Sequence, residues 1–244
     1  MADYSKVISF IQQLYGSADF VPLSVPRFIG NEKKYLEECI DTTFVSSVGK
    51  FVDRFEEEMA LYTGTKKAVV CVSGTNALHM SLMLVGVERD DEVLTQALTF
   101  IATCNALSYI GARPIFIDVD KTTMGLSPDA MKEWLVRNAE IKNGQCYNKH
   151  TGRRVKACVP MHTFGHPVRI EELVALCDRM GLMMQLELAD TWQKGKRKND
   201  YNLLFDDWSE ADMRSLVRHY RNHPSVIMWS IGNFYQATGG QWIY

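Results

Sequence analysis

Apolar positions along the chain follow two periods in turn, which predicts strands that alternate with helices. Short, almost wholly apolar segments predict six strands, at 68–72, 92–96, 113–118, 156–161, 182–188 and 225–231. Apolar residues at helical spacing predict helices over 32–43 and 50–63. Further helices are expected to begin near Thr75, Phe100, Ser127, Arg169 and Ser209.

Strands without a polar face belong in a parallel sheet that helices cover on both sides. The pattern therefore predicts an α/β fold, a three-layer α/β/α sandwich around a mostly parallel sheet, in a single domain over 1–244. Asn-Gly and Thr-Gly pairs within 142–156 predict an exposed hairpin inserted before the fourth strand. The polar stretch 199–207 is expected to be a loop.

The composition argues against some classes of partner but does not indicate which reaction the protein catalyses. The chain is 46% hydrophobic and 23% charged with a net charge of −2, so neither nucleic acid nor a membrane surface is expected as a partner. Its apolar runs are strand-sized, and the first residues do not follow the plan of a signal peptide. Six cysteines without a C-x-x-C pair favour reduced thiols in a cytoplasmic protein and no metal site.

One predicted turn is a candidate anion-binding site. Ser73, Gly74, Thr75 and Asn76 follow a predicted strand and open a predicted helix. Free backbone N–H groups and the helix dipole at such a turn suit an anion, and the two hydroxyls add donors. The alternative is that Ser-Gly-Thr only caps the helix.

Six ordered motifs carry a family resemblance. They are VPLSVPRFIG at 21–30, FVSSVGKF at 44–51, SGTNALH at 73–79, TFIATCNA at 99–106, GARPIFID at 111–118 and MHTFGHP at 161–167. Residues 1–180 resemble the DegT-type family of PLP-dependent nucleotide-sugar aminotransferases. Their likeness is to the branch that makes 4-amino-sugar precursors of legionaminic-acid-type sugars, with the large domain of PLP fold type I.

The resemblance implies roles for particular residues. Gly74 and Thr75, with Ser73 and Asn76 in the same turn, would hold the PLP phosphate, and Phe100 would stack on the pyridine ring. Asn105, His162 and His166 would lie near cofactor or substrate, although the two histidines also suit a loop without a ligand. Glu187 stands where the family has the carboxylate that pairs with the ring nitrogen. A homodimer is also implied.

The remaining chain resembles a different family. Residues 181–244, and above all RNHPSVIMWSIGN at 221–233, are similar to one β-α-β unit of the TIM barrel of glycoside hydrolase family two. That family has its acid/base glutamate directly after Gly-Asn, and the aminotransferases have their Schiff-base lysine after the same pair. This chain has Phe234 there, and phenylalanine does neither acid/base nor imine chemistry.

These observations predict an engineered or recombined chimera without native turnover, and no cofactor is expected in it. The alternative is a residual binder of PLP or phosphate, weak and noncovalent, derived from a nucleotide-sugar 4-aminotransferase. In that case a nucleotide sugar is a partner only by resemblance. A third hypothesis, glycosidase activity, conflicts with Phe234 because a retaining glycosidase needs two carboxylates.

Overall fold

The computed structural model describes residues 3–19, 28–63, 66–187 and 202–230. Its α-helices are α1 Ser5–Tyr15, α2 Glu32–Asp41, α3 Lys50–Thr63, α4 Gly74–Leu84, α5 Ile101–Ile110, α6 Pro128–Asn138, α7 Ile170–Met180 and α8 Asn202–Tyr220. The strands are β1 Glu92–Gln96, β2 Arg113–Ile117, β3 Ala139–Lys142, β4 Gln145–Asn148, β5 Val155–Val159, β6 Met184–Glu187 and β7 Val226–Ser230.

The central sheet is parallel, as predicted. Strand β1 lies between β2 and β5 and pairs in parallel with both. Strands β6 and β7 form a second parallel pair. A parallel bridge between Ala157 and Met183 joins the two parts, with hydrogen bonds from Cys158 N–H to Met183 O (3.0 Å) and from Met183 N–H to Lys156 O (3.1 Å). The strand order β2-β1-β5-β6-β7 is therefore continuous through this bridge.

Helices cover both faces of the sheet, which confirms the predicted α/β/α sandwich. Adjacent residues of a strand point to opposite faces. Val93 of β1 packs in a cluster with residues of α4 and α5, whereas Leu94 packs in a larger one with residues of α6 and α7. Tyr220, at the end of α8, also belongs to the larger cluster.

The predicted strand at 68–72 was wrong. These residues form no strand in the structure, and the side chains of Val69 and Val72 are 79% and 82% exposed. An apolar run becomes a strand only where a neighbouring strand accepts its backbone hydrogen bonds. Here the Val70 N–H donates instead to the Glu56 carboxylate of α3 (3.0 Å).

Two further predictions concerned segments between the strands. The hairpin exists as the antiparallel pair β3–β4 with Asn143 and Gly144 in its turn, but it begins at Ala139, before the predicted 142. The predicted loop at 199–207 was wrong from residue 202 onward, because α8 begins at Asn202. Polar residues on the solvent side of a helix produce the same low hydropathy as a loop.

No helix in the described ranges is long and apolar enough to span a membrane.

One carboxylate ties the last part of the sheet to the rest. Asp178, in the last turn of α7, accepts the Ser225 N–H (3.0 Å) and pairs with His223 Nδ1 (2.6 Å). Burial raises the pKa of Asp178, but the hydrogen bonds from Ser225 and His223 outweigh that effect and hold the pKa below its usual range. This carboxylate therefore fixes the turn that leads into β7.

Replacing Asp178 should weaken this attachment. We expect Asp178→Ala to lower the free energy of unfolding by about 1–3 kcal/mol at pH 7, because a buried N–H loses its partner. A depressed pKa contributes stability above the unfolded value of about 3.9, and this contribution disappears as the pH falls through the folded pKa. Urea unfolding of both proteins at pH 7 and pH 3 should show the difference shrinking at the lower pH.

The control is Glu133→Ala, which removes an exposed ion pair with Arg137 on the surface of α6. This change should cost no more than about 0.5 kcal/mol. Equal losses from both variants would show that Asp178 does not anchor β7.

Candidate functional site

The candidate site lies at the carboxyl ends of the parallel strands. Strands β1, β2 and β5 end side by side, and the loops 97–100, 118–127 and 160–169 follow them. In open parallel sheets ligands bind outside this edge, where loops from neighbouring strands meet. Apart from Asn105, the residues that the sequence predicted as ligand contacts are distributed over this edge and the start of α4. Asn105 instead lines a depression with Glu92 and Arg113, the first residues of β1 and β2, so it lies toward the opposite edge.

The Ser73 turn lies level with the same edge. Arg154, which precedes β5, donates to Gly86 O (2.9 Å), so the last residues of α4 lie at the amino ends of the strands. Helix α4 packs along α5, which runs from the carboxyl end of β1 back to the amino end of β2. An 11-residue helix rises about 16 Å, as much as a five-residue strand. The first turn of α4 is therefore level with the carboxyl edge.

The turn has the properties of an anion site. Ser73 is in an extended conformation and its Oγ accepts the Asn76 N–H (3.3 Å), which caps α4. Accepting this bond leaves the hydroxyl proton of Ser73 available for a ligand. The first turn of α4 contains no acidic residue, and Ser73 and Gly74 are exposed. A helix start of this kind is one at which proteins commonly bind anions.

Phe100 follows β1 and precedes α5. It is the residue before the first turn of that helix and its side chain is 70% exposed. Beside it, Thr99 Oγ1 and Thr103 Oγ1 lie 3.1 Å apart, and Thr99 donates to Met161 Sδ (3.4 Å). An exposed aromatic ring on a hydrogen-bonded support suits contact with a planar ligand.

His162 follows β5 in the facing loop, and its ring orientation is fixed. The Val168 N–H donates to His162 Nδ1 (3.0 Å). A neutral imidazole that accepts at Nδ1 carries its proton at Nε2, so the other side of the ring is a donor. His166, four residues later, is exposed.

A buried amide that the sequence analysis did not identify connects the loops. Gln96, the last residue of β1, is fully buried. Its Nε2 donates to Leu98 O (2.9 Å) and to Thr163 Oγ1 (2.8 Å), and its Oε1 accepts the Met161 N–H (3.1 Å). The sequence does contain a signal for this role, namely a single amide at the end of a strand predicted to be buried. A buried amide needs hydrogen-bond partners, so its neighbours must supply them.

The other predicted residues are placed as follows. The backbone of Glu187 ends β6, pairs with Ser230 and so belongs to the carboxyl edge. Asn105 is half-buried on α5 and lines an open depression with Arg89 and Arg113. Among the described residues, the Ser73–Asn76 turn is not hydrogen-bonded to the loops that carry Phe100 and His162. Phe234 lies outside the described residues.

Comparison with known families gives two overlapping matches. Residues 26–192 match the model of the DegT/DnrJ/EryC1/StrS aminotransferase family. Residues 163–240 match the model of the TIM barrel domain of glycosyl hydrolases family 2. Residues 163–192 are thus common to both matches.

Curated relatives share the first match. The chain is 36% identical to GDP-perosamine synthase of Caulobacter vibrioides over 171 residues, which are 70% of this chain and 42% of that protein. It is 33% identical to GDP-perosamine synthase of Escherichia coli O157:H7 over 190 residues, 78% of this chain and 48% of that protein. The chain thus spans less than half the length of these relatives.

A solved structure agrees with the fold. An aminotransferase from Psychrobacter cryohalolentis superposes with a TM-score of 0.54 at 26% identity, covering 69% of this chain and 38% of that one. The relatives overturn the prediction of an engineered or recombined chimera without turnover, because extended identity of 33–36% to named sugar-nucleotide enzymes is typical of a natural family member. Phe234 and a second resemblance in the last part of the chain do not outweigh matches that cover 70% and 78% of its length.

The cap of α4 gives the first test of this site. We expect Ser73→Ala to lower the free energy of unfolding by about 1 kcal/mol, because the Asn76 N–H loses its acceptor. Ser73→Asp retains an acceptor at the cap and should leave stability within about 0.5 kcal/mol of the original. Urea unfolding measures the free energy of both variants. If Ser73→Ala is as stable as the unsubstituted protein, the Ser73 hydroxyl does not stabilise the start of α4.

Proposed function

We propose, because this chain belongs to the DegT/DnrJ/EryC1/StrS aminotransferase family, that it binds PLP noncovalently at the carboxyl edge and acts as a nucleotide-sugar aminotransferase. Because Phe234 stands where the family has its Schiff-base lysine, PLP is held by contacts at this edge and not by an imine at that position. The observation that carries the proposal is the Ser73–Asn76 turn, a capped helix start that lies level with this edge and within the family match. The GDP-perosamine synthases support a nucleotide sugar as the substrate class.

In this proposal each part of the edge contacts a different part of the cofactor. The turn of Ser73, Gly74, Thr75 and Asn76 holds the phosphate with backbone N–H groups and hydroxyls. Phe100 stacks on the pyridine ring from the loop after β1. Glu187, at the end of β6, is assigned to the ring nitrogen.

The remaining side chains bind and orient. The Val168 N–H donates to His162 Nδ1 and orients this ring in the loop after β5, where the family resemblance assigns it a place near cofactor or substrate. PLP supplies the electron sink that amino transfer requires. What the chain itself contributes at this edge is orientation, hydrogen bonding and charge complementarity for an anionic ligand.

The match of residues 163–240 to the TIM barrel domain of glycosyl hydrolases family 2 adds no second function to this proposal. A retaining glycosidase needs two carboxylates, and Phe234 stands where that family has its acid/base glutamate.

If the turn binds the phosphate of PLP, a negative charge placed there should weaken the binding of PLP but not that of pyridoxal. Ser73→Asp retains the cap but places a negative charge beside the phosphate, so we expect PLP to bind at least about tenfold more weakly. Pyridoxal, which lacks the phosphate, should bind both proteins equally. Titration followed by absorbance and fluorescence measures the two ligands.

Phe100→Ala is the matched variant for the ring. It should weaken PLP and pyridoxal to the same extent, because it removes ring contact and leaves the phosphate turn unchanged. If Ser73→Asp binds PLP as tightly as the original protein, the turn is not the phosphate site.

Amino transfer is tested separately. The purified protein with PLP, a panel of L-amino acids as donors and a nucleotide-linked 4-keto sugar should yield the nucleotide-linked amino sugar, detected by mass spectrometry. A Ser73→Asp sample should yield less product at limiting PLP. Tight PLP binding without any amino sugar would limit the function of the chain to cofactor binding.

A further inference from the structure

We propose that Gln96 is a positioning residue that fixes the position of the two ligand-facing loops of the carboxyl edge relative to each other. It touches no ligand itself, and its role is to fix the loop of Phe100 and the loop of His162 on the same buried amide. The inference rests on the proposed PLP site for its functional consequence, but its structural part stands on hydrogen bonds alone.

The contacts of Gln96 reach both sides of His162. The Met161 N–H, one residue before the histidine, donates to Gln96 Oε1 (3.1 Å). The Thr163 hydroxyl, one residue after it, accepts from Gln96 Nε2 (2.8 Å). Two bonds that flank one residue restrict both its position and its rotation.

The same amide also fixes the loop after β1. Gln96 Nε2 donates to Leu98 O (2.9 Å), two residues before Phe100. Thr163 passes the connection to a third loop, because its hydroxyl donates to Met124 O (2.8 Å). One side chain therefore joins the segments that follow β1, β2 and β5.

Burial makes these bonds costly to lose. Gln96 has no exposed surface and Thr163 is 1% exposed, so water does not replace a missing partner without a rearrangement. A loop that lost these bonds would adopt other positions, and His162 and Phe100 would no longer be held at a constant separation. Ligand affinity falls when the bound arrangement is only part of the ensemble.

The test uses Gln96→Met, which keeps the length and volume of the side chain and removes every hydrogen bond. We expect PLP to bind about tenfold more weakly. Hydrogen exchange at the Met161 amide should become at least about tenfold faster, whether or not PLP is present. The second readout does not depend on the cofactor.

The matched control is Asn148→Leu at the other end of the sheet. Asn148 is 6% exposed and donates to Glu92 Oε2 (2.8 Å), and Glu92 is the first residue of the strand that ends at Gln96. This variant also loses a buried amide, so thermal unfolding should show a comparable loss of stability. Its PLP affinity should stay within about twofold of the original protein, and Met161 exchange should be unchanged.

A second variant covers the case in which Gln96→Met fails to fold. Thr163→Val removes one partner of Gln96 and should weaken PLP binding about threefold. Where Gln96→Met does fold, the loss in the double variant should be smaller than the product of the two single losses, because both changes break the bond between Gln96 and Thr163.

The outcomes separate the two proposals. If the unsubstituted protein does not bind PLP, the proposed function is wrong. The role of Gln96 is then tested by hydrogen exchange at the Met161 amide alone. Original protein that binds PLP, together with unchanged affinity and exchange in Gln96→Met, would overturn the positioning role and leave the function standing. Losses in Gln96→Met and Thr163→Val that multiply fully would also overturn it.

Discussion

The burial of β1 constrains the rest of the sheet. All five of its residues are buried, and its first and last residues, Glu92 and Gln96, carry polar side chains. Residues 92, 94 and 96 of a strand point to the same face, so both groups lie on the side of the larger core. A buried polar group without partners costs more than one hydrogen bond contributes, so each end of the strand requires a specific neighbour.

At the amino end that neighbour is the hairpin and the turn that follows it. The Glu92 carboxylate accepts from Asn148 Nδ2 and Thr151 Oγ1, both at 2.8 Å. Burial, with the negative charge of Glu92 as the smaller cause, raises the pKa of the nearby Cys146 thiol to about 11, so this cysteine is a neutral core residue. The hairpin that interrupts the α/β alternation is thus fixed by the strand it covers.

The parts of the fold that were predictable from sequence are those determined by local pattern. The five strands of the sheet overlap the short segments predicted as strands from residue 92 onward. Helix α7 is capped by Gly181 in a left-handed conformation (φ 68°) that glycine adopts without strain. The run at 68–72 has the same local pattern, but strand formation depends on a partner elsewhere in the chain. For the same reason the motif at residues 73–76 was predictable and the contacts of Gln96 were not, because they join residues 65 and 67 positions apart.

The attachment of β6 and β7 to the sheet follows from the same requirement. A strand that extends a parallel sheet must satisfy the backbone groups of the strand before it, which the bonds between 156, 158 and 183 do. It must also bring a covering helix, and Tyr220 of α8 completes the core that α7 begins. Once these conditions hold, β6 ends at the edge where β1 and β5 end. The backbone of Glu187, which lies within both family matches, thereby stands at the same edge as Gln96, so continuity of the sheet determines which residues share that edge.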